Sequence, residues 1–216
     1  MRSGTLFLDS ADLEVARAAA TSGVVHGITT NPAIMHQQTR NGPAHLDALL
    51  MTFTHGPVFY QLTADSIDAA HAELGELDAA AGSNTDRLVI KLPAQPWMYS
   101  LAADLALEGR DVAFTAVYDP GQVVCAVEAG ARWIIPYVDR AARLDHANGP
   151  LVPRLTPYVP TGVTLLAASI KSPEQALTAL RDGAGAITTT WPVIQGLMSH
   201  PLTDSAVDEF AALGRS

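Results

Sequence analysis

The segment RLVIKLP, residues 87–93, sets a lysine inside an apolar, β-branched run. Leu88, Val89, Ile90 and Leu92 read as a strand buried on both faces. An ammonium there costs free energy unless it is paired, uncharged or used. The chain has only two lysines, Lys91 and Lys171, against eleven arginines, so neither reads as a routine solubilising residue. Strand alternation puts Val89 and Lys91 on one face and Leu88, Ile90 and Leu92 on the other. If the wholly apolar face packs on helices, Lys91 points into a poorly solvated interior. Desolvation disfavours the charged form and lowers the pKa of a lysine from its reference of about 10.4. A neutral amine attacks a carbonyl carbon, and the resulting imine is an electron sink for breaking the adjacent C–C bond. The competing reading is structural, with Lys91 held against Asp9 as an interior pair. Lys91 alone does not separate the two.

Other polar residues fall in a pattern. Asp9, Thr29, Thr30, Asn31, Gln61, Lys91, Thr115, Tyr137 with Arg140, and Ser169 with Lys171 stand at or just beyond the C-terminal ends of strand candidates. Chance placement would scatter them over both ends. Eight such candidates recur: Leu6–Ser10, His26–Asn31, Pro57–Leu62, Leu88–Pro93, Val112–Tyr118, Trp133–Val138, Thr164–Ser169 and Ala186–Thr190. Segments with helical periodicity lie between them. SADLEVARAAATSG starts at Ser10 or Ala11 and stops at Gly23, ADSIDAAHAELGELDAAAG closes at Gly82, and YSLAADLALEG ends at Gly109. DPGQVVCAVEAG and SPEQALTALRDG open with an N-cap residue followed by proline. Strand and helix alternating through short connections imply a parallel sheet. Eight units predict a single-domain α/β protein with a (β/α)8 TIM barrel, in which strand C-termini carry the site. An open doubly wound sheet is the alternative. It usually has a glycine-rich loop after its first strand, and LFLDSAD contains no glycine. The tail, residues 201–216, reads as an extra amphipathic helix with Val207, Phe210, Ala211 and Leu213 on its apolar side, able to cover its own barrel or a neighbour's.

Composition narrows the partners. The net charge of −9 argues against nucleic acid or an anionic membrane, which need a basic patch. A local arginine or lysine still suits a small phosphorylated ligand. Cys125 is the only cysteine, so no intrachain disulfide forms, which fits a reducing cytoplasm. No secretory leader or membrane span is read from the sequence. The seven histidines show no metal spacing, and His26 and His71 are read as non-catalytic.

The set LFLDSAD, GITTNPAI, VIKLP, FTAVYDP, IIPYVDR and LLAASIKSP resembles the small transaldolase family, and especially its fructose-6-phosphate aldolase branch, from about Leu6 to about Phe210. The resemblance implies a Schiff-base lysine, no metal, no cofactor and ring-like homo-oligomers, pentamers or pairs of pentamers, held partly by the C-terminal helix. It implies that Lys91 forms the imine, that Asp9 assists proton transfer, and that Asn31 hydrogen-bonds the dihydroxyacetone unit beside Thr29 and Thr30. Thr115 resembles the threonine that holds the catalytic water, here with Gln61 and Tyr137. Arg140 matches the phosphate-clamping arginine, and Ser169 with Lys171 resembles the rest of that anion site. Classical transaldolases carry glutamate and phenylalanine where Gln61 and Tyr137 stand; the present pair is that of the aldolase branch.

Three departures bear on substrate choice. Phe114 and Ile135 replace smaller residues and are expected to narrow the pocket. Asp139 beside Arg140 would weaken phosphate attraction unless it points away. Two rival classes remain at this level: a phosphate-binding barrel that isomerises sugars with Asp9 as base, and a barrel kept as a scaffold or oligomeric binding protein.

Overall fold

A computed structural model describes residues 5–213. Eight strands close into a parallel barrel in sequence order. The chain runs β1 (Leu6–Asp9), α1 (Leu13–Ser22), β2 (Ile28–Thr29), α2 (Pro32–Gln38), α3 (Gly42–Thr52), β3 (Val58–Gln61), α4 (Ile67–Ala81) and β4 (Leu88–Pro93). It continues through α5 (Met98–Leu107), β5 (Val112–Val117), α6 (Pro120–Glu128), β6 (Trp133–Pro136), α7 (Val138–Leu144) and α8 (Leu151–Leu155). It ends with β7 (Thr164–Ile170), α9 (Pro173–Arg181), β8 (Ala186–Thr189), α10 (Trp191–Met198) and α11 (Pro201–Leu213). The fold is the (β/α)8 barrel expected from the alternating pattern.

Caps explain where the helices begin. Asp119 and Gln122 form a reciprocal capping box on α6, and Ser172 caps α9 through the Gln175 amide. α1 starts later than Ser10 or Ala11. The Asp12 carboxylate accepts from the Glu14 and Val15 amides, which makes Asp12 its N-cap. Gly23 then closes α1 at φ 71°, a left-handed position that favours glycine. β2 is only two residues long, shorter than the expected 26–31. Its chain leaves the sheet at Asn31, whose side chain caps α2.

The strands sort their side chains into two cores. Leu88, Ile90 and Leu92 join the layer between barrel and helices. Phe7, Phe59, Val89, Ala113, Ile135, Leu166, Ala168 and Ala186 fill the barrel interior. Phe114 belongs to the first set, contrary to the expectation that it narrows the pocket. It alternates with inward Ala113 and Thr115, and stacks on Tyr99 of α5 with ring centroids 4.7 Å apart. β5 and β7 carry register shifts, with Ala116 at φ 57° and Ser169 at φ 61°. α11 buries none of its residues, and Leu202, Phe210 and Leu213 are each at least 70% exposed. The last three residues of the tail, 214–216, lie outside the described residues. Among the described residues no helix is long and apolar enough to cross a membrane.

Candidate active site

A cavity of about 710 Å³ opens at the C-terminal end of the barrel, the end at which such folds place their chemistry. Alternation along the strands sets its floor. β4 pairs with β3 so that Lys91 lies beside Gln61, and β1 pairs with β2 so that Asp9 lies beside Thr29. All four side chains line the cavity.

Lys91 is 3% exposed, and its Nζ donates to the Thr30 carbonyl at 2.6 Å. Among the described residues it forms no ion pair within 4.0 Å, so the interior Lys91–Asp9 pair weighed above is not what the structure holds. Burial pushes the ammonium down to about 8, and the negative charge of Asp9 only partly opposes the shift. The neutral amine is then about 300-fold more abundant at pH 7 than for a lysine at its ordinary pKa. Asp9 is pushed the other way. Burial raises its pKa, while the charge of Lys91, the bond from Thr29 and the charge of Lys171 pull it back. Thr29 Oγ1 donates to Asp9 Oδ1 at 2.8 Å and also lies 2.7 Å from Thr188 Oγ1.

A second group sits on β5 and just beyond β6. Thr115 Oγ1 donates to the Tyr137 hydroxyl at 3.0 Å. Burial raises the pKa of Tyr137, so the phenol stays protonated at neutral pH. Gln61 Oε1 is buried without a hydrogen-bond partner among the described residues. An orphaned buried acceptor in a polar cavity is a natural place for a water or a ligand hydroxyl. Asn31 Oδ1 accepts from the Ile34 amide as a helix cap. Its amide nitrogen keeps two protons to donate, and the residue lines the cavity.

The rim carries the cations. Arg140, in the first turn of α7, stacks over the Tyr137 ring at 5.5 Å to its centroid. Ser169 and Lys171 follow the irregular end of β7. The register shift there turns both Ala168 and Ser169 to the cavity, where regular alternation would send one of them away. Ser169 holds a left-handed conformation that costs a non-glycine residue free energy. Asp139 lies within electrostatic reach of Lys171 but is engaged by other partners. Its Oδ2 accepts from Arg143 Nε at 2.9 Å, and it lines a separate groove between α7 and α9.

Eight of the residues singled out from sequence line the cavity together with Lys91: Asp9, Thr29, Asn31, Gln61, Tyr137, Arg140, Ser169 and Lys171. Thr30 and Thr115 do not line it. Thr30 is 1% exposed, its hydroxyl donates to the Phe59 carbonyl, and its contribution is the carbonyl that holds Lys91. Thr115 lies one step behind Tyr137. Ile135 does reach the cavity wall, as its inward position on β6 requires. Sequence reasoning missed Thr188, Gln37, Gln38 and Trp191, all on the wall. Thr188 had a signal, the polar end of the AITTT strand. The others stand on short helices with no periodicity to reveal their direction. Among the described residues no three His, Cys, Asp or Glu side chains gather as a metal-binding set.

Chemically, the arrangement is a nucleophilic amine beside a carboxylate at the bottom of a pocket, hydrogen-bonding groups on its walls and two cations at its rim. The sequence matches the profile of the Transaldolase/Fructose-6-phosphate aldolase family over residues 6–215. Two relatives span nearly the same length. A "Probable transaldolase" of Thermus thermophilus is 32% identical, with 95% of each chain covered. A "Probable transaldolase" of Heliobacterium modesticaldum is 30% identical, with 94% of each chain covered.

Proposed function

The chain belongs to the transaldolase/fructose-6-phosphate aldolase family and is an enzyme of the aldolase or transferase type; from that premise we propose that it is a class I, Schiff-base enzyme cleaving and forming C–C bonds in ketose phosphates. The observation that carries the proposal is the Lys91 amine, buried inside the barrel, pushed down to about 8 and opening on the same cavity as Asp9.

In this mechanism neutral Lys91 attacks the ketone carbon and loses water to give an iminium. Asp9, directly or through a water, takes the proton of the hydroxyl on the carbon beyond the bond to be broken. The electrons of the C–C bond pass into the iminium, an aldehyde leaves, and an enamine of dihydroxyacetone remains on Lys91. Asn31 donates its amide protons to the dihydroxyacetone hydroxyls, with Thr29 nearby. Arg140, Ser169 and Lys171 hold the phosphate of the departing or incoming aldehyde. The Arg143 guanidinium bonded to Asp139 offsets part of the repulsion its carboxylate exerts on that phosphate.

The enamine has two fates. Protonation and hydrolysis make the protein an aldolase; addition to a second aldose phosphate makes it a transaldolase. We favour hydrolysis. Gln61, Thr115 and Tyr137 offer an unsatisfied acceptor and a phenol already linked to a threonine, which together can hold a water and pass a proton through it to the enamine carbon. The relatives' printed names favour transfer, and that reading stays as the alternative. We further propose that the enzyme works in the cytoplasm as a homo-oligomer, a pentamer or decamer. The exposed apolar side chains of α11, among them Leu202 and Phe210, support that reading. No nucleic acid, membrane, metal or cofactor takes part in the proposed reaction.

Borohydride reduction in the presence of dihydroxyacetone or fructose 6-phosphate, followed by peptide mapping, tests the proposal. A stable adduct on the Lys91 peptide is expected. No adduct with any ketose would return the case to an isomerase or a silent barrel. Product analysis with and without erythrose 4-phosphate separates hydrolysis from transfer.

A further inference from the structure

Thr188 stands on β8, in register with Phe7 of β1, and its side chain faces the cavity. Its hydroxyl lies 2.7 Å from that of Thr29, and Thr29 Oγ1 donates to Asp9 Oδ1 at 2.8 Å. A hydroxyl owns one proton. Thr29 gives its proton to the carboxylate and has only lone pairs left, so Thr188 must be the donor between the two threonines. The direction of the chain is therefore fixed, from Thr188 to Thr29 to Asp9. Both threonines are 1% exposed. β8, β1 and β2 are neighbours in the barrel, and each supplies one member.

We propose that Thr188 is a positioning residue for Asp9, holding Oδ1 through Thr29 so that Oδ2 is the oxygen presented to the substrate. The inference rests on the reading of Asp9 as the proton acceptor. Among the described residues Oδ2 accepts no hydrogen bond, whereas Oδ1 is taken. In a site of low dielectric, hydroxyls bonded in series polarise one another, so the outer donor strengthens the inner bond. The chain thereby favours the ionised carboxylate, against the burial that disfavours it. Losing the outer donor weakens that support and makes Asp9 harder to ionise.

Thr188→Val keeps the shape and removes the hydroxyl, while Thr188→Ser keeps the hydroxyl. The readouts are kcat and KM for fructose 6-phosphate cleavage across pH, with borohydride trapping by dihydroxyacetone measured alongside. Thr188→Val is expected to move the acid limb of kcat up by about 0.5 to 1 pH unit and so to lower kcat about 3- to 10-fold on that limb. KM and the trapping yield should stay near wild type, and Thr188→Ser should restore the profile. An unmoved acid limb, or a serine variant that behaves like valine, overturns the proposal. So does a Thr188→Val protein that cannot fold, because the hydroxyl would then serve the barrel rather than Asp9. Should wild type give no trapped adduct, the imine reading fails on its own, and carbon-13 NMR of the Asp9 carboxyl decides the chain. A higher titration midpoint in Thr188→Val supports it, and equal midpoints sink it.

Discussion

At the N-terminal end of the barrel Phe7, Phe59 and Trp133 meet edge to face, with ring centroids 5.2 to 5.9 Å apart. Two residues further along the same strands stand Asp9, Gln61 and Ile135, which line the cavity. β4 makes the same change, from Val89 to Lys91, and β8 from Ala186 to Thr188. The two ends share backbone, hydrogen-bond ladder and direction of side chains. On these five strands the inward positions at the two ends differ chiefly in the side chains they carry. Aromatic rings fill the floor and exclude water, and that dry floor is what makes the next layer up a costly place for charge. The contrast is causal: Lys91 is depressed because the layer beneath it is packed.

Breaking the mouth should leave the floor intact. Lys91→Met removes the amine at the barrel floor's edge and replaces a buried charge by an apolar chain of similar length. Turnover should fall by about a thousandfold or more. The unfolding midpoint should stay level or rise, since an apolar replacement of a buried charge is often neutral or stabilising. Residual activity near wild type would remove Lys91 from the chemistry. Breaking the floor should do the reverse. Phe59 is 0% exposed and touches both other rings. Phe59→Ala should cost about 3 to 5 kcal/mol in denaturant unfolding, while the folded fraction still traps a ketone on Lys91. A loss below about 1 kcal/mol would mean that the rings are not what holds that end together.

Much of this division was legible in the sequence, because strand alternation is a short-range rule. The LVIKLP run alone sends Lys91 inward, and the structure does so. The rule fails where the backbone departs from the regular pleat. Ser169 reaches the cavity through a register shift at φ 61°, which no pattern of residue types announces. It also fails on direction where two polar residues are consecutive. Thr29 and Thr30 both looked like wall residues, yet only Thr29 faces the cavity, and Thr30 serves through its carbonyl. Phe114 was misread by treating its size without its parity. Gln37, Gln38 and Trp191 stand at the ends of α2 and α10, helices of seven and eight residues, too short for a repeated spacing to fix their direction.

The smallest expected effect is also the sharpest test of the link between floor and mouth. Lys91 binds its proton less tightly in the folded chain than in the unfolded one, at about 8 against an ordinary 10.5. Below pH 8 both states are protonated, and the buried charge costs the fold its full amount. Between 8 and 10.5 the native amine has lost its proton and the unfolded one has not, so stability rises with pH. The slope reaches about 1.4 kcal/mol per pH unit and the whole rise is about 3 kcal/mol. Tyrosines oppose it at the upper end. Burial raises Tyr60, Tyr99 and Tyr137 above 10, so the fold loses stability as they ionise. Lys91→Met keeps those tyrosines and lacks the amine, and the difference between the two proteins isolates Lys91. Denaturant unfolding at steps from pH 7 to 10.5 should show that difference shrinking towards high pH. A difference independent of pH would mean that the amine keeps an ordinary pKa. The packed floor would then have no bearing on the nucleophile above it.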